Sequence, residues 1–439
     1  MGQTSIQRQS TCLIRQSIQP STASGCHNLI RINSRTLGNG LKVSICPFIQ
    51  LETVGIAFGV NFGSIDEKPR INGAAHFLEH MLFKGTKKRT WKQIDDQLKD
   101  IGAYHNAFTD HETTVYFVQV YKGYFERAMR IISDMVRNST IPPKEFELER
   151  GPIINENLIR HDNPRYMLLD YMPRALYRRH PARLAVGGDN EKTIMNVKRE
   201  DLVEIYSKHY SPENSVLAVY GGVSAQAALK SAAANFGDFY RAFTKKERHA
   251  AREAQQRRSI SISRKGIKQT RIAIGFKCGA LSAVSRDEFV AMQVVERYLG
   301  DRLFDEIRQK RGLSYDPMVS YNPYSTFGYI AAAAGVEPKR VAEAKSIMLD
   351  EFRRLQEGEM EKQEIERTKR ALRVEFVTSR ESSIGMSTNM AVYELMYGGA
   401  GLLASMPGLV SKVSMDSIRR YCSKYIDAKK YGMVQLRPG

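Results

Sequence analysis

The chain holds little that could brace it covalently or anchor it in a membrane. Its five cysteines, Cys12, Cys26, Cys46, Cys278 and Cys422, are scattered over 439 residues and never form a C-x-x-C pair. That pattern argues against a disulfide framework and against a cysteine zinc site, and it suits a reducing compartment. No apolar run approaches the ~20 residues a spanning helix needs, so no membrane span is expected. A continuous apolar core of the secretory kind is also missing at the N-terminus. Acidic residues are absent up to Gln50, while Arg8, Arg15, Arg31 and Arg35 stand among Ser, Thr and Gln. Residues 1–34 therefore read as a flexible tail, with an organellar targeting segment as the alternative.

Acidic residues are in deficit overall as well. Against 66 Lys+Arg stand 47 Asp+Glu, a formal charge of +19. The excess is spread along the chain, with modest clusters at Lys84 to Lys92 and Lys245 to Arg258. One aromatic, Trp91, stands in the first cluster and none in the second, and neither matches a nucleic-acid motif, so solvated surface is the better reading and no nucleic-acid partner is expected. Hydrophobic residues make up 42% and charged residues 26%, ordinary values for a globular chain long enough for several cores.

What is present is concentrated in Gly73 to Thr86, which reads GAAHFLEHMLFKGT. His76 and His80 stand four apart, which puts both on one face of a helix that is otherwise apolar. Two imidazoles at that spacing can reach one zinc ion, and Glu79 beside them can serve as a base toward a water that the ion polarises. This H-x-x-E-H order is the inverse of the commoner H-E-x-x-H arrangement.

Around the motif, Thr36 to Val60 reads as a hairpin, with Gly38-Asn39-Gly40 as turn and strand-like runs at Leu41 to Pro47 and Thr53 to Gly63. A second helix is expected from Trp91 to Ile101, capped by Thr90 and stopped by Gly102. Strands follow at Tyr104 to Thr109 and Thr113 to Val120, then helices from Tyr124 to Arg137 and from Lys144 to about Arg160, where Pro152 implies a distortion.

The later half repeats this order. Arg271 to Gly279 corresponds to Thr53 to Gly63, and Asp287 to Leu299 takes the place of the motif helix. Ser314 to Tyr321 and Thr326 to Ala334 form a strand pair, and Glu364-Ile365-Glu366-Arg367 lies over Glu145-Phe146-Glu147-Leu148. In this register Val295, Tyr298 and Leu299 stand where His76, Glu79 and His80 do, so the second copy carries no metal ligands. The expected fold is α+β: two homologous repeats, each a mixed β-sheet covered by helices. The expected divisions are a catalytic domain at 35–240, a polar linker at 241–262 and an inactive domain at 263–439.

A catalytic zinc takes three protein ligands and leaves one position open. The helix after Pro143 offers Glu145, Glu147, Glu149 and Glu156. Glu149 and Glu156, seven apart, share a face, so one can ligate while the other orients a ligand histidine. His105 and His111 have no third partner in sequence and do not read as a second metal site.

At these residues the chain resembles the pitrilysin family of inverzincin metallopeptidases, in its short processing-peptidase-like branch. The run His76 to Thr86 matches the family signature nearly residue for residue, and the resemblance extends from about Arg35 to Val434. It implies one zinc ion per chain on His76, His80 and Glu156, Glu79 as general base and Glu149 in support. Asn106 and Ala107 resemble the family's edge strand, where a substrate adds as an extended strand. Arg308 and Tyr315, in RQKRGLSY, resemble an arginine–tyrosine element that grips substrate and stabilises the oxyanion. In short-chain relatives that pair reaches a partner's site, so the resemblance implies a homodimer acting on peptides or unfolded segments, in the cytoplasm. The alternative it leaves is the catalytic subunit of a mitochondrial processing peptidase, in the matrix with an inactive homologue; a non-catalytic core-type subunit is a third. Against the mitochondrial reading, the positions of an acidic pair that reads presequence arginine hold Tyr166 and Asp170.

Overall fold

A computed structural model describes residues 30–245 and 247–439. The expected tail lies, except for its last five residues, outside the described residues. The N-terminal half contributes strands β1 (Asn33–Thr36), β2 (Lys42–Pro47), β3 (Thr53–Val60), β4 (Tyr104–Thr109), β5 (Thr114–Tyr121) and β6 (Ser215–Gly221). Its helices are α1 (Ala74–Met81), α2 (Trp91–Asp100), α3 (Phe125–Asn138), α4 (Pro143–Asp162), α5 (Pro164–Leu176), α6 (Glu191–Asn196), α7 (Arg199–His209) and α8 (Ala225–Phe236). The C-terminal half contributes β7 (Arg258–Arg264), β8 (Thr270–Cys278), β9 (Met318–Pro323), β10 (Gly328–Val336) and β11 (Gly432–Pro438). With them run α9 (Arg286–Leu303), α10 (Val341–Glu357), α11 (Lys362–Thr378), α12 (Ser383–Met396), α13 (Gly401–Lys412) and α14 (Met415–Tyr425). Among the described residues, no helix is long and apolar enough to cross a membrane.

The two sheets share one topology. The first runs β1-β2-β6-β3-β5-β4 and the second β7-β11-β8-β10-β9. Setting β1 aside, each strand of one has its counterpart in the other, down to the parallel pairs β2/β6 and β7/β11. The turn at Gly38 to Gly40 joins β1 to β2 as an antiparallel pair. β2 and β3, expected to be hairpin neighbours, are instead separated by β6, which pairs with both. All seven residues of β6 are buried, and such a strand is most stable at the sheet centre, where both neighbours satisfy its backbone.

The chain also forms two compact units that are not consecutive in sequence. The first takes the chain up to Asn155, Val186–Glu247 and Glu375–Ser405; the second takes Glu156–Ala185, Arg248–Val374 and Met406–Gly439. Each unit therefore receives one sheet-covering helix from the other repeat. In the first, α12 lies on β3: Thr53 Oγ1 is 2.8 Å from Ser383 Oγ, and a Cβ on Gly55 would meet the Ser383 carbonyl oxygen at 2.2 Å. Only a glycine admits the helix that closely. On the opposite face Phe58 stacks on Phe236 of α8 at 5.5 Å. In the second unit, α5 and the chain just after it dock on the other sheet, where Tyr177 donates to the Gly328 carbonyl at 2.7 Å. There Phe276 of β8 packs against Phe352 of α10 at 4.6 Å. The stretch 241–262, expected as linker, belongs from Arg248 onward to the second unit and ends inside β7. Its Glu253 accepts backbone N–H bonds from Arg178, Arg179 and His180.

Candidate metal centre

Helix α1 is short and almost wholly buried; Ala74, Ala75, Phe77, Leu78 and Met81 are sealed in the core. Its N-cap is Gly73 with φ of 101°, a left-handed turn natural to glycine. No side chain caps it from that position. Glu67 does so from six residues upstream, accepting from Gly73 N at 2.8 Å, Ala75 N at 2.6 Å and Asn72 Nδ2 at 2.8 Å. A carboxylate at a helix N-terminus satisfies orphan donors and opposes the helix dipole. Burial pushes the Glu67 carboxyl up to about 8, while the Ala75 and Gly73 bonds pull the other way.

Helix α4 packs on α1 through Phe146 and Phe77, whose rings stack at 4.7 Å, with the Arg150 guanidinium over both. The helix continues through Pro152. Phe146, Glu149 and Ile153 are buried and Glu156 half-buried, a spacing that keeps all four on one face. The division between the units falls between Asn155 and Glu156, but α4 is continuous across it, so Glu156 is held by the same helix as Glu149.

Here the sequence-predicted ligands come together. One donor atom from each of His76, His80 and Glu156 lies within 4.8 Å of the others. The two imidazole Nε2 atoms are 3.3 Å apart. Tetrahedral zinc with Zn–N bonds of ~2.0–2.1 Å sets its ligand atoms about 3.3 Å from one another, so the donor set fits that ion. His80 turns its Nδ1 to Glu149 Oε1 at 2.9 Å and its Nε2 toward His76. Lys84 Nζ reaches Glu149 Oε2 at 2.5 Å. Burial raises the Glu149 carboxyl, but the His80 and Lys84 hydrogen bonds and charges outweigh it and hold the group below its ordinary value.

Glu79 is 7% exposed and points to β4 rather than to the ligand cluster's supports, with Oε2 accepting from Thr109 Oγ1 at 2.6 Å. β4 is an edge strand of the sheet, paired among the described residues to β5 alone. Asn106 and Ala107 lie on it, and the Asn106 side chain accepts from Ala107 N at 2.8 Å. Asn106 also lines a pocket with Phe83, Leu98, His105 and Tyr116.

Family models match in two blocks, Insulinase (Peptidase family M16) over residues 50–190 and Peptidase M16 inactive domain over residues 196–372. A relative described as a zinc protease, from Rickettsia bellii, is 30% identical over 354 residues, covering 80% of this chain and 84% of its own length. The chain belongs to peptidase family M16. Within that pitrilysin-like family it is also similar to the mitochondrial-processing peptidase subunit beta of Mus musculus, 27% identical over 416 residues, 92% of this chain and 83% of that one. The M16 fold recurs in a protease from Helicobacter pylori, with a TM-score of 0.86, 22% identity and coverage of 93% of this chain and all of that one.

The arginine–tyrosine element lies in the second unit. Arg308 falls in a π-helical stretch, Phe304–Gln309, that continues α9. Its guanidinium stacks on the Tyr315 ring at 4.2 Å, and Tyr315 is 79% exposed. The two residues expected to act together are thus in contact. Sequence reasoning missed three residues at the centre: Glu67, Lys84 and Thr109. Lys84 is four residues beyond His80, a spacing that could have signalled it. Glu67 and Thr109 lie outside any helical period with α1, and only the tertiary fold brings them there.

Proposed function

We propose that the chain is a zinc-dependent endopeptidase that hydrolyses peptides or unfolded, extended polypeptide. The observation that carries this reading is the convergence of His76, His80 and Glu156, with Glu79 buried on the same helix as the two histidines. When bound on those three residues, zinc supplies Lewis acidity to a water and to the scissile carbonyl. Glu79 takes the proton of the attacking water and returns it to the amide nitrogen as the peptide C–N bond breaks. Glu149 fixes the tautomer of His80, and Lys84 balances its charge.

The substrate adds to β4 as a further strand, with Asn106 and Ala107 pairing its backbone. Arg308 and Tyr315 serve a second copy of the chain, the arginine gripping substrate and the tyrosine hydroxyl donating to the oxyanion. A homodimer therefore has two complete sites, each holding one zinc ion, and works in the cytoplasm.

The likeness to the mitochondrial subunit favours a second reading, removal of basic presequences in the matrix. Two features weigh against it. Tyr166 brings no carboxylate, and Asp170 is engaged in a bidentate pair with Arg160 at 3.0 and 2.7 Å. An internal arginine already occupies the carboxylate that a presequence arginine would seek.

The test is cleavage of an internally quenched, unstructured peptide by the intact protein. Cleavage that stops with a chelator, returns with zinc and is lost in Glu79→Gln supports the peptidase. A zinc-loaded wild type that leaves such peptides intact sinks it. Sedimentation separates the dimer: full activity in a monomer removes the role of Arg308 and Tyr315 in a second copy.

A further inference from the structure

We infer that Thr109 is a positioning residue that aims the Glu79 carboxylate, tying the base to the strand that receives substrate. The inference rests on the peptidase reading above.

Thr109 ends β4 and is 4% exposed. Its hydroxyl donates to Glu79 Oε2 at 2.6 Å, at the short end of the O–H···O range. Among the described residues it is the one side chain hydrogen-bonded to Glu79. A glutamate carboxylate turns freely about its last torsion unless something holds an oxygen. With Oε2 held, Oε1 keeps one direction in which to meet a water's proton. Threonine suits the task because its β-branch limits χ1 and so fixes where the hydroxyl points.

The bond has a particular place in the fold. Along β4, Ala107 and Thr109 project to one face and Asn106 to the other. Across the ladder Ala107 faces Tyr116 and Thr109 faces Thr114. The hydroxyls of Thr109 and Thr114 are 3.4 Å apart, and Thr114 donates to the Phe62 carbonyl at 3.0 Å. Tyr116 in turn meets Tyr210 through their hydroxyls at 2.8 Å. Thr109 thus stands on a wall of buried polar groups with partners of their own, and its proton is spent on Glu79. Two residues back, the same strand carries Ala107. A substrate strand laid along β4 is in this way placed against a base whose orientation the same strand sets.

A merely structural threonine would tolerate valine, which has nearly the same shape, without a selective loss of turnover. The experiment compares Thr109→Val, Thr109→Ser and wild type, measuring kcat and KM on the quenched peptide, zinc content by chelator competition, and Tm. The expected result for Thr109→Val is a kcat reduced by about 10²-fold with KM within about two-fold. Zinc content stays at the wild-type value, and Thr109→Ser, which keeps the hydroxyl, restores most of kcat. In a Glu79→Gln background Thr109→Val should lower the residual rate no further. An unchanged kcat in Thr109→Val, an equal loss in Thr109→Ser, or an additive loss in the double variant would each overturn the inference. Should valine prevent folding, Thr109→Ala removes the same hydroxyl with less bulk, and failure of both to fold would assign Thr109 to structure alone. A wild type that binds zinc and cleaves nothing rejects the peptidase reading itself, whereas an active wild type matched by Thr109→Val rejects this inference alone.

Discussion

The motif helix α1 and its counterpart α9 face the same physical problem and answer it differently. Both lie against neighbouring helices that bring carboxylates inward. In the first repeat Glu149 is met by His80 and Lys84, and Glu156 shares its cluster with two imidazoles. In the second unit an arginine does the work. Arg302 is bidentate to Glu351, both contacts at 3.0 Å, and also reaches Glu306 at 3.3 Å and Glu364 at 3.6 Å. Tyr298, in the position of Glu79, donates to Glu364 at 3.2 Å. The repeat register places Arg302 over Phe83 and Thr368 over Glu149. The second repeat meets its carboxylates with an arginine; the first meets Glu149 with Lys84 and sets Glu156 beside the His76 and His80 imidazoles. A buried carboxylate needs a positive partner in either case.

The largest effect expected from breaking this contrast is at Glu79. Glu79→Gln should cost about 10²–10⁴-fold in kcat/KM, while chelator titration finds wild-type zinc content. A variant as active as wild type would mean that α1 differs from α9 in metal alone. Next comes the arginine. Arg302→Met strands Glu351, which is 6% exposed, so denaturant unfolding should show a loss of ~3–5 kcal/mol. Zinc content should not change, because Arg302 belongs to the other solution; an unaltered midpoint would show that the network contributes little.

Smaller still is the support of the ligand histidine. Glu149→Gln should weaken zinc binding by about 10–100-fold, read by chelator competition, with the fold retained. The weakest expected effect is on acid stability. Lys310, then Arg311 and Arg302, hold the Glu306 carboxyl down to about 2 from an ordinary 4.5. A depressed folded pKa contributes stability that is present above the unfolded value and is lost as pH falls from 4.5 toward 2. Glu306→Gln should therefore flatten the acid limb of the stability profile in that window and no other, and an unchanged limb would show that the pairing contributes nothing there.

Much of this was legible before any fold was known. His76, Glu79 and His80 declare themselves because helical geometry converts a spacing of four into a shared face. Glu149 and Glu156 follow from the same period on α4, and Thr90 and Gly102 bound α2 as their backbone chemistry requires. The order of strands in a sheet carries no such period. β6, from residues 215–221, enters between β2 and β3 because a wholly buried strand is most stable at the centre, and local sequence cannot say which neighbours it will have. The exchange of α5 and α12 was equally hidden. The units change over at Glu156 and Glu375, equivalent positions in the two repeats, yet each helix reads as a continuation of its own half.

The residues alone thus determined the repeat and the family and pointed to the cluster of His76, His80 and Glu156, since these depend on identity and on short periodic spacing. Tertiary structure decided which groups stand behind the ligands. Glu67 on the N-terminus of α1, Lys84 on Glu149 and Thr109 on Glu79 are matters of which elements pack together, and a hydrogen bond of 2.6 Å between residues thirty apart leaves no trace in spacing.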